Sequence, residues 1–112
     1  MTNEEIFNKI CVLRDMQKRY FKTRNSEVLK KCKELEKEFD TIVNVDNLKQ
    51  FENQDLYTPI ALAVSMRKWQ KSYFNSFSDD EKKAAKAYEK RVDIAITSIK
   101  QLNEPQQLKL FE

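Results

Sequence analysis

Two groups of side chains in this sequence are equipped for chemistry, and both suit binding better than catalysis. Gln107, Leu108, Leu110 and Phe111 place one amide and three apolar groups within five positions, shortly after Pro105. An extended peptide of this kind seats its apolar groups in a preformed pocket while one polar group fixes the register. Far upstream, Arg14, Lys18, Arg19, Lys22 and Arg24 surround Tyr20 and Phe21, with Trp69, Tyr73, Phe74 and Phe77 in a related stretch. Bases interleaved with aromatics can hold single-stranded nucleic acid by stacking and phosphate contacts. Two considerations weigh against that reading. Aromatics at helical spacing normally pack inward, and a net charge of +3 is small for a nucleic-acid domain. The expectation is therefore core aromatics beside a solvated basic face. Nucleic acid is not expected as a direct high-affinity ligand.

The segment Gln107-Leu108-Lys109-Leu110-Phe111 resembles the Q-L-x-L-F pentapeptide by which bacterial replication and repair proteins dock on the DNA polymerase III sliding clamp. Four fixed identities in five places arise by chance on the order of once per 10⁵ windows of ordinary composition. The resemblance implies a bacterial or phage setting and the sliding clamp as partner. It also implies roles: Gln107 as hydrogen-bonding anchor, Leu108 at the pocket rim, Leu110 and Phe111 in the deep apolar site. The competing reading is that Leu108, Leu110 and Phe111 fold back onto the domain as an apolar staple.

Composition narrows the remaining classes. The chain has no histidine, hence neither the commonest general base nor the commonest metal ligand. It has no glycine either, which removes phosphate-cradling loops, dinucleotide fingerprints and nucleophile elbows. No enzymatic activity, metal or cofactor is expected. Two cysteines are too few for a disulfide scaffold. Cys11 and Cys32 differ in height within a hairpin by roughly six residues, or about 9 Å, too far for a bridge. The start Met1-Thr2-Asn3 lacks a signal-peptide pattern, and no apolar run reaches membrane-spanning length, so a cytoplasmic location without membrane contact is expected.

The elements that must position these groups are written twice. Sliding the chain by 53 residues aligns 13–43 with 66–96 without a gap, with ten of 31 positions identical. They are Arg14/Arg67, Gln17/Gln70, Lys18/Lys71, Tyr20/Tyr73, Phe21/Phe74, Lys30/Lys83, Lys33/Lys86, Glu36/Glu89, Lys37/Lys90 and Asp40/Asp93. Chance in a Lys/Glu-rich helical composition gives about three, so duplication is the better account.

Each copy reads as two helices, because apolar residues recur at alternating spacings of four and three. Helices are expected near 3–23, 26–45 or beyond, 59–76 and 79–103. The expected starts are Thr2 with Glu5, Asn25 or Ser26, Thr58 before Pro59, and Ser78 with Glu81. The fold class is all-α: a four-helix bundle of two duplicated antiparallel hairpins. One domain spans 1–103, with hairpins at about 3–45 and 59–103, a connector at about 46–58 and a C-terminal peptide at 104–112. Association of two copies through the same apolar faces stays open. Gln17 and Gln70 fall within the apolar stripes, where buried amides set register. The Lys30 to Glu38 run reads as a solvated face supported by pairs three or four residues apart.

Overall fold

A computed structural model describes residues 2–52 and 55–103. Four helices account for most of them: α1 (Asn3–Thr23), α2 (Ser26–Ile42), α3 (Tyr57–Ser76) and α4 (Asp79–Asn103). No strand occurs among the described residues. Helix α1 packs on α2 and α3 packs on α4, while α1 and α3 bring the two hairpins together. The duplicated hairpins thus form the expected four-helix arrangement, with both tips at the same end.

Local sequence sets the helix ends. Thr2 accepts the Glu5 amide at 3.1 Å, and the Glu5 carboxylate accepts the Thr2 amide at 3.3 Å, closing a capping box. Asn25 caps α2 by accepting the Glu27 and Val28 amides at 2.8 and 3.3 Å. Both tips turn through a left-handed residue: Arg24 at φ 53° after α1 and Phe77 at φ 55° after α3. These positions are 53 apart, and each donates its amide to a tyrosine carbonyl one turn back, Tyr20 or Tyr73, at 2.7 Å. Glycine usually fills such a cap, and this chain uses ordinary residues there at a cost of about 1 kcal/mol each.

Two boundaries depart from the sequence expectation. Helix α2 stops at Ile42 and does not continue into the connector. Asn44 and Asn47 capture the chain there: the Asn44 side chain accepts the Asp46 and Asn47 amides, and Asn47 accepts the Asn44 amide at 2.8 Å. Such side-chain bonds offer the backbone an alternative to the helix ladder. A single 3₁₀ turn at Leu48–Phe51 follows. Helix α3 begins two residues before Pro59, which lies buried in its first turn.

The molecule is layered along its length. At the end away from the tips, Ile6, Ile10 and Leu13 of α1 meet Phe39 of α2, Ile60 and Met66 of α3, and Val92 of α4 in an apolar core. These side chains are all but fully buried, so truncating any one costs about 2–5 kcal/mol. Above that core lies a polar layer, and above the polar layer a cleft. The segment carrying Gln107, Leu108, Leu110 and Phe111 lies outside the described residues.

Candidate binding site at the hairpin tips

The polar layer is built from identical residues of the two copies. Arg14 on α1 grips Asp93 on α4 through both carboxylate oxygens, at 2.8 and 2.9 Å. Arg67 on α3 grips Asp40 on α2 in the same way, at 3.0 and 2.9 Å. Each arginine also donates to the glutamine one turn ahead, Arg14 to Gln17 at 2.7 Å and Arg67 to Gln70 at 2.8 Å. Each glutamine donates to the glutamate of its own hairpin partner helix, Gln17 to Glu36 at 2.9 Å and Gln70 to Glu89 at 2.8 Å. The two amides then meet across the pseudo-two-fold axis at 3.2 and 3.3 Å.

Each arginine therefore crosses to the other hairpin. This is the reciprocal pairing of a two-fold dimer, written in a single chain. The layer is fully satisfied, since no buried side-chain nitrogen or oxygen among the described residues lacks a partner. Lys18 joins Asp93 at 3.4 Å and Lys71 joins Asp40 at 3.5 Å. Burial opposes ionisation of Asp93, but the hydrogen bond and charge of Arg14, with Lys18, outweigh it and hold the carboxyl below its ordinary value.

A cleft of about 810 Å³ opens above this layer. Its walls are Tyr20, Phe21 and Leu29 from one hairpin and Tyr73, Phe74 and Ala85 from the other. Arg24, Lys33, Lys71, Lys82 and Lys86 stand around it, and Glu36 and Glu89 lie at its floor with Gln17 and Gln70. The copies again correspond: Lys86 sits 4.2 Å over the Phe21 ring, and Lys33 sits 4.7 Å over the Phe74 ring. Seven of the ten identical pairs thus enter either the polar layer or this lysine–phenylalanine exchange.

Several expectations change here. Phe21 is 46% exposed, Phe74 62% and Phe77 68%, so these three are not core, while Tyr20, Trp69 and Tyr73 are half-buried. The cause is the polar layer: with Arg14, Gln17 and their equivalents occupying the interior, the helices cannot close apolar surface at the tips. Of the basic residues beside them, Arg14 is not on a surface at all, being buried against Asp93 and Gln17. Lys18, Arg19, Lys22 and Arg24 are exposed, and Arg24 lies 5.4 Å from both the Tyr20 and Phe21 rings. Gln17 and Gln70 hold the central place expected of a register pair.

Glu36, read as part of a solvated run, turns inward, as do Glu89, Asp40 and Asp93. Their signal in the sequence was identity between copies, which an outward-facing carboxylate does not need. Cys11 and Cys32 are free thiols, and burial raises the pKa of both, so they stay protonated at neutral pH. Among the described residues no cluster of histidine, cysteine or acidic side chains could hold a metal ion, and no helix is long and apolar enough to cross a membrane. Comparison with protein-family models, curated proteins and solved structures gives no match.

Proposed function

We propose that this protein is a non-enzymatic binding protein whose residues 107–111 dock on the bacterial DNA polymerase sliding clamp, tying the helical bundle to replication or repair. The observation that carries this reading is the pentapeptide Gln107-Leu108-Lys109-Leu110-Phe111. Its place in the chain supports the same reading. Helix α4 is described to Asn103, and Pro105 follows, a residue that lacks the amide a helix needs and disfavours helix in the residue before it. The pentapeptide therefore belongs to the stretch after the last described helix, and extended peptides are what a clamp pocket receives. Docking there brings the bundle to the replication site or keeps competing peptides out of the pocket.

The test is capture of a purified bacterial clamp by the full chain and by the variant Leu110→Ala/Phe111→Ala. Short-peptide recognition concentrates its energy in a few buried anchors, often about 2 kcal/mol or more each. The double variant is therefore expected to lose capture, and Gln107→Ala to weaken it by about 1 kcal/mol, or roughly fivefold. If the parent fails to bind clamp and the double variant melts at a clearly lower temperature, these side chains serve folding and the proposal fails.

A further inference from the structure

The cleft at the hairpin tips has a chemistry that the polar layer beneath it does not use. Its walls offer aromatic and aliphatic surface that no part of the described chain covers, Phe21 and Phe74 above all. Its two carboxylates are already engaged. Glu36 meets Gln17, Lys33 at 3.5 Å and Arg67 at 3.7 Å, while Glu89 meets Gln70 and Lys86 at 3.4 Å. The floor is thus neutralised from within the bundle. Around it, Arg24 and Lys82 make no ion pair among the described residues. An apolar recess whose rim carries five cations, two of them without an acidic partner among the described residues, is complementary to a ligand with apolar groups flanked by anionic ones.

We propose that the tip cleft receives an acidic amphipathic peptide segment of a partner protein. Leucine or aromatic side chains of that segment enter between the Tyr20–Phe21 and Tyr73–Phe74 walls, and its carboxylates meet Lys33, Lys82, Lys86 and Arg24. The volume lies in the range of sites that enclose small ligands or a few side chains.

The ring environment separates this occupant from single-stranded nucleic acid. Bases bind by stacking on bare aromatic faces. Phe21 already carries Lys86 at 4.2 Å and Arg24 at 5.4 Å, and Phe74 carries Lys33 at 4.7 Å and leans on Phe77 at 6.1 Å between ring centres. A base that stacks on the ring face held by Lys33 or Lys86 displaces that cation. A carboxylate approaches those same cations from outside and leaves them on the rings. The pseudo-two-fold places one lysine–phenylalanine pair on each side, so the fitting segment has acidic residues on both sides of its apolar anchor.

The experiment is selection of a displayed library of random twelve-residue peptides on the immobilised full chain, with Lys33→Glu/Lys86→Glu as counter-target. Recovered peptides are then titrated by fluorescence anisotropy beside oligo-dT. The expected result is enrichment of sequences with Asp or Glu on both sides of Leu, Ile, Phe or Trp. Their affinity should fall at least tenfold on Lys33→Glu/Lys86→Glu and on Phe74→Ser, a position 62% exposed, with a thermal melt of each variant confirming that it is folded. It should fall less than twofold on Lys30→Glu/Lys31→Glu, which changes charge equally at two exposed residues of α2 that do not line the cleft. No enrichment over the bare surface, recovery of basic or uncharged peptides, or equal loss on Lys30→Glu/Lys31→Glu overturns the proposal. Oligo-dT binding more tightly than any recovered peptide, through the same two lysines, gives the cleft to single-stranded nucleic acid and also overturns it.

Discussion

At Asp93 two forces act on one carboxyl: burial disfavours its charge, and the Arg14 guanidinium with Lys18 favours it more strongly. The folded pKa therefore lies below the unfolded value of about 3.9. A carboxylate of this kind contributes stability that is fully present above the unfolded pKa and is lost as pH falls through the folded one. Replacing Asp93 with Asn removes that charge at every pH and leaves the Arg14 guanidinium buried without its counter-ion. At pH 7 the variant is expected to be less stable by about 3 kcal/mol, the scale for breaking one side of a buried pair. Below about pH 4 the gap to the parent should narrow, because the parent then loses the same charge. Urea denaturation of both proteins from pH 2.5 to pH 7 reads this out. A gap that stays constant across the range assigns the loss to shape and hydrogen bonding and not to charge.

Between elements, the equivalent arginines make the same hydrogen bonds in places related by the pseudo-two-fold, Arg14 from α1 to α4 and Arg67 from α3 to α2, with Arg67 also 3.7 Å from Glu36. Arg14→Met and Arg67→Met should therefore cost similar amounts, about 3 kcal/mol each and within about 1 kcal/mol of one another. The double variant should cost less than the sum, since the Gln17–Gln70 bridge joins the two halves and residues in one network couple. Calorimetric melts of the three variants measure both statements, and strict additivity would mean that the halves are independent. Helix positions and the duplication were legible in the sequence because apolar spacing and the 53-residue offset are local or self-referential patterns. The inward turn of Glu36, Glu89, Asp40 and Asp93 was not, because amphipathic reading sends charged residues to solvent unless a partner is known. That partner sits on the opposite hairpin, and periodicity within one helix carries no information about it. The exposure of Phe21, Phe74 and Phe77 was hidden for the same reason: it follows from the polar layer below them, not from their own spacing. The end of α2 turned on two asparagine side chains whose competing hydrogen bonds a helical pattern does not register.

Across the whole molecule, α4 runs between the tip cleft and the point where the described chain stops. It begins beside the tip cleft, which it lines with Lys82, Ala85, Lys86 and Glu89, and it is described to Asn103 at the far end. At 1.5 Å per residue, Lys82 and Asn103 lie about 30 Å apart. Residues 107–111 follow from that far end, so a clamp and an acidic peptide can be held by different parts of one chain. The polar layer and apolar core below the cleft are buried and fully partnered, an interior that favours one arrangement over a bistable one. Binding at the two surfaces is therefore expected to be independent. Leu110→Ala/Phe111→Ala should abolish clamp capture and leave affinity for a cleft peptide within about twofold. Lys33→Glu/Lys86→Glu should weaken that peptide at least tenfold and leave clamp affinity within about twofold. Distant sites without shared partners usually add to within about 0.5 kcal/mol, which sets that twofold margin. Titrating clamp in the presence of saturating cleft peptide measures the coupling directly. A shift of tenfold or more in clamp affinity, about 1.4 kcal/mol, would show that the bundle links its two ends, and would make clamp docking conditional on what occupies the tips.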